Sequence, residues 1–304
     1  MTTRRQVIKT LALTPAVGAL SLGTQAQASK QEETRFIFSL NTSTVRGQKL
    51  SLPKLIELAA RAGYQGLEPW MMEIESYLKE GNSIASLKKL ANDAGITLVD
   101  CIGFPTWMAQ DEEKSKAGFI QMEKEMGILA ELGCTRVAAP AIGAEAPLDL
   151  LKAGERYKKL LDLGRKTGVM PQLEFWGAYP AFFHLSQALA VAAAADDSDA
   201  KILADVYHLF RGGSGFEGLK LIDGQAISIF HLNDFPKDIP RTSQQDKDRV
   251  FPGDGAAPLQ SLSDTLRKKG GEIVLSLELF NPEYYAMDPN YVAKTGLEKM
   301  KQFF

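Results

Sequence analysis

The chain has 304 residues, with 35 Lys and Arg against 37 Asp and Glu, so its formal net charge at pH 7 is −2. Hydrophobic residues make up 45% of the sequence and charged residues 24%, as in ordinary globular proteins. This slight acidity argues against nucleic acid as a partner, because nucleic-acid-binding surfaces are basic. The length suits one large α/β domain.

The amino terminus has the layout of a secretory signal. Arg4, Arg5 and Lys9 precede the mildly apolar stretch LALTPAVGALSLG, and the small residues AQA follow just before Ser29. The adjacent arginines resemble the twin-arginine signal, whose pathway exports folded proteins. The apolar stretch contains Pro15 and polar residues and falls short of the roughly 20 apolar residues of a membrane span.

We therefore expect residues 1–28 to act as a twin-arginine signal peptide and residues 29–304 to form the mature domain. The expected location is the periplasm, reached through the twin-arginine export machinery, without a stable membrane anchor. Cys101 falls late in one predicted strand and Cys134 just before the next, which places them at opposite ends of a parallel sheet. We expect no disulfide between them, despite the oxidising compartment.

From residue 51 onward one unit recurs: an amphipathic helix, a glycine that ends it, and a short apolar strand. Glycine favours such helix ends because it adopts left-handed backbone conformations without a steric cost. The strands are continuously apolar, as expected for a parallel sheet covered by helices. In the five clearest units the helix ends at Gly63, Gly95, Gly133, Gly168 and Gly270.

Three further strands bring the predicted number to eight: RFIFSLN at 35–41, AKILADVYH at 200–208 and AISIFHLND at 226–234. Eight such units in one domain predict a (β/α)8 TIM barrel. The alternative is a doubly wound open sheet, but SLNTSTVRG at the first strand's end lacks a Gly-rich phosphate loop. The longest irregular segment is 234–259, and loops of this length are often functional.

Ionisable residues close the last four predicted strands. They are Glu174, Asp205, His231 and Glu278. Active sites of parallel barrels lie at the carboxyl ends of the strands, so these side chains are expected to meet. Each alone is explained by an ion pair or a core hydrogen bond. Together they favour a divalent cation, because three crowded carboxylates cannot neutralise one another.

Three oxygen donors and one nitrogen donor suit one Mn²⁺, Mg²⁺ or Co²⁺ ion, and Zn²⁺ also accepts such a site. A metal that holds a hydroxyl and the adjacent carbonyl acidifies the neighbouring C–H bond, so that an enediolate forms beside a carboxylate base. Glu174 and Glu278 are the predicted catalytic pair, one removing a proton and the other returning it. Reprotonation gives an isomerase or epimerase, whereas loss of a β-hydroxyl gives a dehydratase.

The order Glu, Asp-x-x-His, His, Glu on the fifth to eighth strands resembles the xylose-isomerase-like superfamily, in particular its sugar epimerases and inosose dehydratases. The resemblance spans the whole predicted mature chain. It implies that Glu174, Asp205, His231 and Glu278 hold the metal and that His208 faces the substrate. A hydrogen bond from His208 to Asp205 is the alternative role for this histidine.

Aromatic residues near the strand ends are candidates to pack against the C–H face of a sugar ring. Trp176 is the favoured substrate-binding residue among them, because it follows Glu174 by two positions. Phe175 and Trp176 stand where many sugar epimerases carry polar residues, which leaves the substrate open. The aromatic candidates are Trp70, Phe104, Trp107, Trp176 and Phe280.

Four further charged residues have two interpretations each. Glu68 closes the second predicted strand and binds either a substrate hydroxyl or a basic partner. Lys237, Arg241 and Arg249 lie in the 234–259 loop, where we expect solvated charges rather than a cover over the pocket.

The sequence thus predicts a metal-dependent sugar isomerase or epimerase with a small sugar or keto-sugar as its partner. The first alternative is a dehydratase or lyase acting on a keto-sugar, inosose or 3-keto-glycoside. The second is a non-catalytic periplasmic sugar-binding barrel, which would have no need for a pair of acid and base glutamates. A homo-oligomer is compatible with all three.

Overall fold

Eight parallel strands form the centre of the computed structural model, which describes residues 33–304. The first strand, Arg35–Asn41, pairs with both the second and the eighth. All eight are short, as expected for the inner wall of a barrel covered by helices. The strands are β1 Arg35–Asn41, β2 Gly66–Glu68, β3 Thr97–Leu98, β4 Arg136–Pro140, β5 Met170–Glu174, β6 Ile202–Asp205, β7 Ile229–Leu232 and β8 Glu272–Leu277.

Hydrogen bonding links the strands in the order β3-β2-β1-β8-β7-β6-β5-β4. The sheet curls until its two ends meet: Ile102, just beyond β3, forms a parallel bridge with Ala138 on β4. The backbone N–H of Ala138 donates to the carbonyl of Cys101 at 3.0 Å across this junction. The structure therefore confirms the predicted TIM barrel and excludes the open doubly wound sheet.

Helices cover the outside of the barrel between successive strands. The five glycines predicted to end helical units all have positive φ, between 69° at Gly95 and 92° at Gly63, which confirms that prediction. The helices are α1 Leu52–Ala62, α2 Met71–Lys79, α3 Ile84–Asp93, α4 Glu112–Leu132, α5 Leu150–Thr167, α6 Leu185–Ala195, α7 Val206–Arg211, α8 Leu259–Arg267, α9 Pro282–Tyr285 and α10 Pro289–Met300.

The apolar core has two parts. A large cluster fills the space between strands and helices. A small cluster, which includes Ala138, Leu203, Ile229 and Val274 from four different strands, plugs the barrel itself. This plug makes the barrel a packed core and leaves the carboxyl ends of the strands as the place where a cavity opens.

The predicted strand at 200–208 is wrong at its carboxyl end. β6 stops at Asp205, and residues 206–211 form the short helix α7. Asp205 causes the change, because its Oδ1 accepts the backbone N–H of His208 at 2.8 Å and so caps the helix. His208 therefore projects from a helix rather than from a strand.

The 234–259 loop is organised by one buried carboxylate, that of Asp234. Its two oxygens accept the backbone N–H groups of Phe235, Gly253, Gly255 and Ala257 at 2.7 to 3.1 Å. A Cβ atom at residue 255 would lie 2.3 Å from Asp234 Oδ1, so glycine is required there. The loop is thus fixed to the barrel at both its ends.

Both cysteines are buried and free, and the Cys134 thiol lies 3.2 Å from the carbonyl of Arg136. Within residues 33–304, no helix combines the length and apolar character that crossing a membrane demands. The predicted signal, residues 1–28, lies outside the described residues, so the signal, the domain boundary at residue 29 and the periplasmic location stay predictions.

Asp234→Ala is expected to lower the free energy of unfolding by about 3 kcal/mol, because buried backbone donors lose their acceptor. Urea denaturation followed by circular dichroism measures the loss. Asp238→Ala is the matched control, since Asp238 is an exposed aspartate of the same loop, and it should change stability by less than about 0.5 kcal/mol. Equal losses in the two variants would contradict the role assigned to Asp234.

Candidate active site

The four ionisable residues predicted at strand ends converge around one imidazole. His231 Nδ1 lies 3.3 Å from Glu278 Oε2, 3.7 Å from Glu174 Oε1 and 3.8 Å from Asp205 Oδ2. Parallel strands β5 to β8 deliver these side chains to the same end of the barrel, and all four residues are buried. The structure therefore places the predicted ligand set together, and the metal-binding role of each residue stays a prediction.

The donor atoms fit a divalent cation. One ligand atom each from Asp205, His231 and Glu278 lies within 4.8 Å of the others. His231 Nδ1 and Glu174 Oε2 are buried and make no hydrogen bond. Buried polar atoms without partners are costly, and a cation shared by these groups would remove that cost. Oxygen-rich sites with one imidazole suit Mn²⁺, Mg²⁺, Co²⁺ or Zn²⁺.

Glu68 orients the imidazole from the side away from this cluster. Its Oε1 lies 3.0 Å from His231 Nε2, and its Oε2 accepts hydrogen bonds from Asn41 Nδ2 at 2.9 Å and Ser276 Oγ at 2.5 Å. A carboxylate behind a histidine fixes its tautomer and turns the free lone pair toward a metal. Glu68 was predicted to bind either a substrate hydroxyl or a basic residue. The structure favours the second role, with His231 as the basic residue.

Arg249 corrects the prediction of a solvated loop charge, because its side chain is only 1% exposed. Nη1 donates to Glu278 Oε2 at 2.7 Å and to Asp205 Oδ2 at 3.1 Å. The buried carboxylates of Asp205 and Glu278 are thus paired with the positive charge of Arg249, whether or not a metal is bound. Lys237 and Arg241 are exposed, as predicted.

The electrostatic environments of the two glutamates are opposed. Burial raises the pKa of Glu174 to about 8, and the charges of Glu278 and Asp205 add to the increase, against the effect of His231. Burial also acts to raise the pKa of Glu278, but His231 and Arg249 outweigh it and hold this pKa well below its usual range. These opposed shifts favour a proton on Glu174 and a negative charge on Glu278 when no cation is bound.

The same charges act on His231. Burial lowers its pKa, but Glu68 and Glu278 outweigh burial and raise the pKa well above the ordinary value of histidine. The strong attraction of this position for positive charge agrees with a site for a cation.

His208 faces the cavity from α7. Its Nδ1 accepts the backbone N–H of Gly177 at 3.2 Å, and its Nε2 lies 3.3 Å from Arg249 Nη2. Burial lowers the pKa of His208, which favours the neutral imidazole. Its contact with Asp205 is made by the backbone and not by the ring, so the alternative role, a hydrogen bond from the ring to Asp205, is not found.

A cavity of about 360 Å³ opens above the cluster, with Glu174, Glu278 and His208 at its surface. Trp107 is the wrong member of the predicted aromatic set, because it is fully buried and donates from Nε1 to the carbonyl of Pro140. The other four predicted aromatics line the cavity together with Tyr179, and neighbouring rings are 5.2 to 6.3 Å apart. The five are Phe280, Trp70, Phe104, Trp176 and Tyr179.

Sequence analysis missed two asparagines at the site. Asn41 ends β1 and donates to Glu68 and Glu278, and Asn233 follows β7 and donates to Asp205 Oδ2 at 2.9 Å. Both stand at strand ends, so the strand-end rule that found the ionisable residues also identifies these amides once it is extended to uncharged side chains.

Several curated relatives share most of the chain. The inosose isomerase of Halalkalibacterium halodurans is 32% identical, over 81% of this chain and 89% of the relative. That of Bacillus velezensis is 29% identical, over 82% and 90%. The 3-dehydroshikimate dehydratase of Pseudomonas aeruginosa is 25% identical, over 82% of this chain but only 39% of the relative.

Structural comparison agrees with the sequence relatives. The crystal structure of the IolI protein with a bound zinc atom superposes with a TM-score of 0.81 at 26% identity, and the match covers 88% of this chain and 99% of that one. Residues 56–303 also match the family model for the xylose isomerase-like TIM barrel. The chain belongs to the xylose isomerase-like TIM barrel family.

Proposed function

We propose that the protein is a metal-dependent sugar isomerase or epimerase that moves a proton beside a carbonyl through an enediolate. The observation that carries the proposal is the buried cluster of Glu174, Asp205, His231 and Glu278 beneath a cavity. The inosose isomerase relatives and the zinc-containing IolI structure support the same chemistry.

Glu174 and Glu278 perform the proton transfer in this proposal. Both carboxyl groups reach the cavity surface. One carboxylate takes the proton from the carbon next to the carbonyl, and the electron pair of that C–H bond becomes the C=C bond of the enediolate. The other carboxyl group returns a proton to the opposite face of the same carbon for epimerisation. For isomerisation the proton goes to the neighbouring carbon, and the hydroxyl proton moves to the former carbonyl oxygen.

The remaining residues hold and orient the reactants. Glu174, Asp205, His231 and Glu278 would bind the cation, which supplies polarisation of the substrate carbonyl and stabilisation of its negative charge. His208 and Trp176 are the proposed substrate-binding residues, with Nε2–H of the neutral His208 ring donating to a sugar oxygen, because Nδ1 accepts the backbone N–H of Gly177. The aromatic wall excludes water from the reacting carbon.

Dehydration is the second candidate, favoured by the similarity to 3-dehydroshikimate dehydratases. The first step is the same proton abstraction. The electron pair then expels a β-hydroxyl, which leaves as water after it takes a proton from the second carboxyl group. Product mass distinguishes the two reactions, because dehydration removes one water and isomerisation preserves the formula.

Glu174→Gln and Glu278→Gln are each expected to slow exchange of substrate hydrogen with deuterated water by at least about 10²-fold, because glutamine cannot take up the proton. NMR on metal-loaded protein with an inosose measures the exchange, and metal content is determined for every variant. Glu125→Gln is the matched control, a buried glutamate on α4 outside the cavity, and it should exchange like the parent. If the parent protein binds the sugar but exchanges no hydrogen, only the non-catalytic sugar-binding barrel remains compatible with the result.

Glu68→Gln is expected to weaken metal affinity by about 10 to 100-fold, since the amide no longer polarises the imidazole of His231. Competition with a chromophoric chelator measures affinity for Mn²⁺ and Zn²⁺. Glu73→Gln serves as the comparison, because Glu73 caps α2 and bonds Thr42 rather than the cluster. Unchanged affinity in Glu68→Gln would show that His231 is not a ligand.

A further inference from the structure

Two of the proposed metal ligands already bond a cation of the protein. Arg249 Nη1 donates to Glu278 Oε2 at 2.7 Å and to Asp205 Oδ2 at 3.1 Å. These are the same oxygens that lie 3.3 Å and 3.8 Å from His231 Nδ1. A metal bound by the imidazole and the two carboxylates would therefore share this pair of oxygens with the guanidinium.

The carboxylate of Asp205 has little hydrogen-bonding capacity left. A carboxylate oxygen offers about two lone pairs. Oδ2 accepts Asn233 Nδ2 at 2.9 Å besides Arg249 Nη1, and Oδ1 accepts the backbone N–H of His208 at 2.8 Å. A cation at Oδ2 would therefore take electron density from an oxygen whose lone pairs are both in use.

The guanidinium of Arg249 is held in place from several sides. The side chain is 1% exposed, and Cζ lies 4.5 Å from the ring centroid of Tyr207 and 5.0 Å from that of Phe280. Nη2 donates to Asp246, whereas Nε is buried without a hydrogen-bond partner. The positive charge thus belongs to the folded site and not to a solvated loop.

Arg249 is the only lysine or arginine within residues 33–304 that bonds a carboxylate of the cluster. The guanidinium of Arg46 also lies near the cavity, 3.7 Å from the ring centroid of Trp70, and its Nη2 is buried without a hydrogen-bond partner. Because Arg46 makes no direct bond to the cluster, its charge acts there only through space. Arg249 is therefore the cation that a bound metal would meet directly.

We infer that Arg249 is a built-in counterion of the metal site, which stabilises the metal-free protein and lowers its affinity for metal. The inference rests on the ligand set of the proposed function and goes beyond it, because it concerns how tightly the metal is held. Two positive charges that share the same buried oxygens repel each other. Removal of the guanidinium should therefore weaken folding and strengthen metal binding, whereas simple structural damage would weaken both.

The test compares Arg249→Gln with Arg249→Lys, which keeps a positive charge. Competition with a chromophoric chelator measures affinity for Mn²⁺ and Zn²⁺, and urea denaturation of the metal-free proteins measures stability. We expect Arg249→Gln to bind metal at least about tenfold more tightly than the parent and to unfold at a lower urea concentration. Arg249→Lys should bind metal more weakly than Arg249→Gln.

Arg241→Gln is the matched control, since Arg241 lies in the same loop, is exposed and donates to the carbonyl of Arg211. It should keep the metal affinity of the parent. Asp205→Asn should lose tight metal binding, which identifies the titrated site as the cluster.

If the parent binds metal at this site, equal or weaker affinity in Arg249→Gln, or undiminished stability of that variant without metal, would overturn the inference alone. A parent that binds neither ion, or whose binding survives in Asp205→Asn, would overturn the proposed function as well. If Arg249→Gln does not fold without metal, added Mn²⁺ or Zn²⁺ should restore its circular dichroism. Failure of that rescue would also overturn the inference.

Discussion

The structure depends on how three carboxylates are kept together in the interior of a protein. Glu174, Asp205 and Glu278 surround His231 at distances of 3.3 to 3.8 Å. In a medium of low dielectric constant such an arrangement is unfavourable unless positive charge compensates it. Arg249 supplies one compensating charge from the protein itself, and a cation bound by the proposed ligand set would supply the rest.

That compensation comes from the least regular part of the barrel. Arg249 belongs to a loop without a strand or α-helix, yet its guanidinium must remain within hydrogen-bond distance of two carboxylates. Asp234 makes this possible, because it binds four backbone N–H groups and forms an antiparallel bridge with Val250, the neighbour of Arg249. The carboxylate of Asp234, just beyond β7, thus positions the guanidinium of Arg249, which pairs with Asp205 and Glu278.

The barrel and the convergence of four ionisable side chains were predictable from the sequence for one physical reason: parallel strands converge, so residues at the strand ends have a known neighbourhood. Glu174 and Asp205 are the last residues of their strands, His231 is the second-last residue of its strand, and Glu278 directly follows its strand. The position of Arg249 follows from loop conformation, which hydrophobic periodicity does not encode, and its burial was therefore mispredicted. Trp107 failed for a related reason, because proximity to a strand end in the chain does not determine whether a ring faces the cavity or the core.

The aromatic wall and the charged cluster act on each other. Aromatic rings shield the cavity from water, and the exclusion of solvent strengthens every charge interaction beneath it. Burial is the largest cause of the raised pKa of Glu174, whereas Arg249 and His231 act against burial at Glu278. Two chemically identical residues thus differ in acidity, because His231 and then Arg249 outweigh burial at Glu278, whereas burial dominates at Glu174. The loop that positions Arg249 therefore contributes to the difference in acidity that the proposed acid and base pair requires.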